Sequence, residues 1–110
     1  MIVLMNGGSF STTCEFLSNL REKRQAIFVG EEAGGGYYGN TSGPSVLITL
    51  PNTKVRVRIP LRTYYLAVKD GMPNRSILPD YEVEPTISNL LVRNDPVMER
   101  AIELARSSGN

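Results

Sequence analysis

The chain has no histidine and no tryptophan, and Cys14 is its single cysteine. Without histidine, neither a Ser-His nor a Cys-His catalytic pair can be completed from these residues alone, and a histidine-ligated metal is excluded. The carboxylates lack a close metal-loop spacing, so neither a metal nor any other cofactor is implied. One cysteine rules out an internal disulfide framework. No apolar run approaches the ~18–20 residues that span a bilayer, and no transmembrane segment is expected. The N-terminus carries no basic region and no cleavage site of the signal-peptide kind. An excess of one charge is missing too. The 12 Lys and Arg offset 11 Asp and Glu, which gives no electrostatic case for nucleic acid or an anionic membrane. At 110 residues one domain is the limit, with ~65% of the unfolded surface buried.

What is present is ordered along the chain. Ile2–Met5 reads as a buried strand. A turn, Asn6-Gly7-Gly8-Ser9, and a cluster of hydroxyls lead into a helix that runs to about Arg24. Thr12 and Glu15 have capping-box spacing, and Phe16, Leu17 and Leu20 form the apolar side. Ala26–Val29 is a second apolar strand, so strand, helix and strand point to a parallel pair. Residues 30–44 form a long Gly-rich loop of the kind that is usually functional or mobile. Val46, Ile48 and Leu50, then Val55, Val57 and Ile59, alternate as a hairpin. Arg62–Val68 reads as a further strand and 70–79 as an irregular loop. Tyr81 and Val83 suit a short edge strand. Asp95 caps a last helix with Pro96 at its first position, and Val97, Ala101, Ile102 and Ala105 are its apolar stripe. Residues 107–110 read as a frayed tail.

Four features invite a chemical reading, each beside a plainer one. Ser11 stands at a helix start, where backbone N–H groups and the macrodipole favour an oxyanion; by spacing alone, Ser11 and Thr12 read as ordinary caps. Cys14 in the first helical turn could be activated, but a small buried hydrophobe is the simpler assignment. Gly34, Gly35 and Gly36 lack the Walker spacing, and Glu31 and Glu32 would repel phosphate. A backbone brought close to a peptide or to another strand suits them better, with Tyr37 and Tyr38 as packing residues. Lys54, Arg56, Arg58 and Arg62 make a basic hairpin face, which is ordinarily the solvated side.

In order, these motifs resemble the tail-specific, or C-terminal processing, serine peptidases, including their tricorn-like and retinoid-binding-protein-like branches. Three blocks carry the likeness: residues 3–16, Val-Leu-Met-Asn-Gly-Gly-Ser-Phe-Ser-Thr-Thr-Cys-Glu-Phe; residues 29–36, Val-Gly-Glu-Glu-Ala-Gly-Gly-Gly; and residues 75–83, Arg-Ser-Ile-Leu-Pro-Asp-Tyr-Glu-Val. The Asp95-Pro96 helix matches as well. The resemblance implies an α/β fold, a partial crotonase-like (Clp-protease-like) core of βαβ units with an added β-hairpin. It implies Ser11 as nucleophile, by its Phe-Ser-Xaa-Xaa match to the tricorn-like branch. The family's usual spacing to the glutamate would select Thr12 instead, and the Thr12 N–H is expected in the oxyanion hole. Gly34, Gly35 and Gly36 would lie along the cleft for a peptide or protein substrate.

Two departures shape the expectation. Gly36 stands where the processing branch has its lysine base. The tricorn-like branch takes a histidine from the upstream half of its domain and a glutamate from downstream, for which Asp70 is the counterpart here. Residues 1–106 are therefore expected to be the C-terminal half of a catalytic domain, inactive or nearly so by itself. An exposed first strand and helix would favour homo-oligomers, and the family implies a periplasmic or extracytoplasmic location. The rival expectation is a non-catalytic domain of the same fold that binds peptide or a hydrophobic ligand.

Overall fold

Two apolar segments flank the first helix and pair side by side. β1 (Ile2–Met5), α1 (Thr12–Glu22) and β2 (Ile27–Gly30) follow one another, and β1 and β2 are parallel, Ile2 opposite Ile27 and Met5 opposite Gly30. The computed structural model describes residues 1–69, 71–72 and 74–107. α1 stops without a glycine. Arg24 takes a left-handed φ of 51°, and the Gln25 N–H reaches back to the Leu20 carbonyl at 3.1 Å, the Schellman way of closing a helix.

Four short strands occupy the middle of the chain: β3 (Gly39–Asn40), β4 (Ser45–Thr49), β5 (Arg56–Pro60) and β6 (Tyr64–Tyr65). β7 (Tyr81–Glu82), α2 (Ile87–Leu91) and α3 (Pro96–Ser107) complete it. β7 adds to β2 in parallel, so the main sheet has the order β1-β2-β7; β3 pairs with β6 and β4 with β5, both antiparallel. The molecule is thus a small mixed α/β domain with several sheets. Among the described residues, no helix is long and apolar enough to cross a membrane.

Strand alternation divides the interior. Phe28 is fully buried and joins Leu17 and Leu20 of α1, with Met5, Cys14, Tyr37 and Ile77, in one cluster. Val29, equally buried, lies outside that cluster and points by the two-residue period to the other face. There α3 packs along β1 and β2 and buries Ala101 and Leu104. The α1 layer is pinned by Asp80. One Asp80 oxygen accepts the Phe28 N–H at 2.7 Å and the other accepts Arg21. Arg21 also donates to the Leu78 carbonyl and lies 4.3 Å over the Phe28 ring.

Several elements differ from expectation. Phe16 is 57% exposed; the buried face of α1 runs through Cys14, Leu17, Ser18 and Leu20, which turns Phe16 outward. The stripe of α3 is rotated in the same way: Ala101 and Leu104 are buried, while Ile102 and Ala105 are exposed. The 62–68 strand shrinks to β6. Helix α2 was not foreseen; Thr86 and Asn89 cap it reciprocally, with Asn in the place of the usual Glu or Gln. Asp95 does cap α3, accepting the Met98 N–H at 3.0 Å. α3 extends through Ser107, whose hydroxyl donates to the Leu104 carbonyl; residues 108–110 of the expected tail lie outside the described residues.

The hairpin is found where the alternation placed it, but both its faces are exposed along its whole length. Val46, Ile48, Leu50, Val55, Val57 and Ile59 are 38–54% exposed, and the cross-strand register sets them on one face. The hairpin gives the molecule extents of 64 × 38 × 19 Å and a radius of gyration of 18.2 Å, against about 13 Å for a compact chain of this length.

Asp80→Ala leaves the Phe28 N–H and Arg21 without their acceptor. It should cost about 1–3 kcal/mol, read as a lower denaturant midpoint; an unchanged midpoint would show that the clamp contributes nothing.

Candidate active site

The turn after β1 is closed by its own polar groups. Ser9 donates its N–H to the Asn6 carbonyl at 2.8 Å, and the Asn6 side-chain oxygen accepts the Gly8 N–H at 2.9 Å. This is an Asx turn, for which asparagine is suited by its short amide. Two residues later Ser11 takes φ 54° and ψ −123°, and α1 begins at Thr12. That backbone region is sparsely populated by residues with a Cβ, and such strain gathers at functional positions. A serine held in a strained turn between a strand and a helix is the arrangement that presents a nucleophilic hydroxyl.

The structure removes the plain capping assignment. Ser11 is the N-cap residue, yet its side chain makes no capping hydrogen bond. Nor does the Thr12–Glu15 capping box form. Thr12 is already helical, so its hydroxyl is not in the cap position. Glu15 instead accepts from Asn40 at 3.2 Å and from the Tyr64 hydroxyl. The hydrogen bond to Glu15 holds the Tyr64 phenol above its usual range. The Thr12 N–H meets no acceptor among the described residues and remains available at the positive end of the helix. Cys14 is buried, and its thiol donates to the Ser9 carbonyl at 3.0 Å; it packs and braces the turn.

The Gly-rich loop lies against this turn. The Gly34 N–H donates to the same Ser9 carbonyl at 3.0 Å. A Cβ on Gly34 would stand 2.0 Å from the Gly7 carbonyl oxygen, and one on Gly35 would stand 2.6 Å from Cys14 Sγ and 3.2 Å from Ser11 N. Gly34 and Gly35 are therefore required by close approach to the Ser11 turn. Gly36 faces its own loop, at the Gly39 carbonyl. A cleft of about 450 Å³ runs beside all three glycines and is bordered by Tyr38, Arg75 and Ser76; Ser11 does not line it. The fully buried Ser18 ties α1 to the loop by donating to the Tyr37 carbonyl at 2.8 Å, a contact that no local pattern in the sequence signalled.

The third sequence block closes on the second. Arg75 grips Glu32 through two nitrogens at 2.7–3.1 Å, the Ser76 N–H adds a bond at 2.8 Å, and the Ala33 N–H donates to the Ile77 carbonyl. Hydrogen bonds from Arg75, and then from Ser76, hold the Glu32 carboxyl below its usual range. The second block thus touches both of the others, the Ser11 turn through Gly34 and the third block through Glu32 and Ala33. Asp70, the expected downstream acid, lies outside the described residues. A second cavity, of about 380 Å³, opens on the other flank of the turn, where Asn6 and Ser9 form part of its wall. Sequence reasoning passed over this cavity, because its lining comes from five separate segments.

Two measurements check this geometry. Gly35→Ala should destabilise by about 1–3 kcal/mol through overpacking, and Cys14→Ala should relieve part of that loss, so that the double mutant is less than additive. Simple additivity would mean that the two residues do not touch. Because the folded pKa of Glu32 is depressed, the contribution of its ion pair is present above the ordinary carboxylate value and is lost as pH falls through the folded value. Its titration by carboxyl NMR should have a midpoint below the ordinary one, and Arg75→Ala should raise it, with the Ser76 N–H still holding it down. No protein-family model and no curated protein matches this chain.

Proposed function

We propose that this chain is the nucleophile-bearing half of a tail-specific, or tricorn-like, serine peptidase domain with a crotonase-like core. The observation that carries the reading is Ser11, held at φ 54° at the start of α1 with its hydroxyl released from capping. Supporting it, the second block of the resemblance joins the other two, meeting the turn through Gly34–Ser9 and the third block through Ala33–Ile77 and Glu32–Arg75. Ser11 Oγ attacks a peptide carbonyl, the Thr12 N–H receives the developing oxyanion, and the amine departs to leave an acyl-serine that water hydrolyses. Gly34, Gly35 and Gly36 border the cleft in which this reading lays an extended substrate backbone.

The proton of Ser11 goes to a base from outside this chain and from that base to the departing amine; the chain itself has no histidine and a glycine, Gly36, at the lysine position. The base typically contributes ~100-fold or more, so the isolated chain is expected to be nearly inactive. The same two absences are equally what a second reading predicts, a non-catalytic domain of the same fold that binds peptide or a hydrophobic ligand.

A serine-reactive fluorophosphonate separates the two. In alkaline buffer, where solution hydroxide substitutes for the base, we expect a slow adduct mapped by mass spectrometry to Ser11. It should vanish in Ser11→Ala and persist in Thr12→Ala. An adduct on Thr12, or none at any pH, would overturn the peptidase reading.

A further inference from the structure

We infer that the cavity beside the Asn6–Ser9 turn receives a lysine or arginine side chain and that Glu31 selects it. Naming the occupant a substrate residue rests on the peptidase reading; the charge preference does not. The cavity lies at the carboxyl ends of β1 and β2, where open α/β sheets commonly take ligands. Its walls are largely apolar, with Leu4, Met5, Pro85, Leu90 and Val97 among them. One wall is the turn that leads, two residues on, to Ser11.

Two acidic residues line the cavity, Glu31 and Asp95, and no lysine or arginine does. Asp95 is already engaged as the cap of α3. Glu31 differs. Its backbone is fixed by the bond from its N–H to the Met5 carbonyl at 3.0 Å, and the residue is half-buried. Its carboxylate has no hydrogen-bond or ion-pair partner among the described residues, whereas its neighbour Glu32 is gripped by Arg75. An unpaired acidic side chain beside apolar walls suits a ligand that joins a cation to an aliphatic stem. A lysine or arginine side chain answers both features at once. Its aliphatic stem lies along Leu4, Leu90 and Val97, and its charged head reaches Glu31. A volume of about 380 Å³ accommodates one such side chain.

The test compares peptides on the Ser11→Ala protein, so that no turnover intervenes. An N-acetylated, C-amidated tetrapeptide carrying lysine is titrated beside its norleucine analogue, which keeps the stem and lacks the charge. Amide resonances of Glu31, Leu90 and Val97 report binding. The lysine peptide should shift them saturably and bind about 5- to 10-fold tighter than the norleucine peptide, as expected for one charge-assisted hydrogen bond. Glu31→Gln, nearly isosteric, should erase that preference and leave norleucine binding unchanged. Equal binding of the two peptides, a preference that survives Glu31→Gln, or no shift at these residues would each overturn the inference. Phosphonate labelling of Ser11 without a lysine preference would remove this pocket and keep the peptidase reading; a lysine preference without labelling would do the reverse.

Discussion

Asp80 accepts the Phe28 N–H with one carboxylate oxygen and Arg21 with the other. Much of the rest depends on that clamp. It ties β7 to β2, and through Arg21 it ties both to α1. Arg21 in turn covers the Phe28 ring, the largest fully buried side chain of the core. A backbone N–H of the sheet and a guanidinium are thereby satisfied by one anion, an economical arrangement in a domain with a small interior. The clamp also sets where the Arg75–Pro79 segment runs, and so where Glu32 and the Gly-rich loop find their partners.

The candidate site is mostly a matter of backbones in contact. Ser9 presents one carbonyl that receives both the Gly34 N–H and the Cys14 thiol. That convergence draws the loop onto the turn so closely that Gly34 and Gly35 have no room for a Cβ. The turn is strained at Ser11 and braced on each side: by the Asn6 Asx bond before it, by α1 after it, and by the loop across it. Strain persists only where surroundings over-determine a conformation, and here the brace is visible residue by residue. Glu31 and Glu32 show how adjacency can separate roles. Glu32 turns toward the Arg75 segment and holds two loops together, while Glu31 lines the cavity on the other flank with no partner among the described residues.

The hairpin obeys its pattern locally and departs from it globally. Its alternation produced two paired strands in the expected register, because cross-strand pairing and the turn at Pro51–Lys54 are decided within sixteen consecutive residues. The same alternation implies a covered apolar face, and in this chain nothing described covers it. Periodicity tells which side chains share a face; whether that face meets a neighbour is a property of the whole assembly. The rotated stripes of α1 and α3 teach the same lesson. Phe16 and Ile102 are as apolar as the residues beside them, but the sheet meets each helix along a different line.

The sequence by itself determined the parallel β1–α1–β2 unit, the hairpin, the Asp95 cap of α3 and the presence of a glycine-rich turn ahead of a hydroxyl cluster. All of these follow from short-range periodicity and turn chemistry, which act over a few residues. Only the tertiary structure decided that Ser11 is strained and makes no side-chain cap, that Glu15 serves Asn40 and Tyr64 rather than Thr12, and that Cys14 and Gly34 meet at the Ser9 carbonyl with Gly35 packed on Cys14. It also assembled the cavity around Glu31 from separate segments. Those outcomes depend on contacts between residues tens of positions apart, whose partners are chosen by packing and hydrogen-bond satisfaction and leave no periodic trace along the chain.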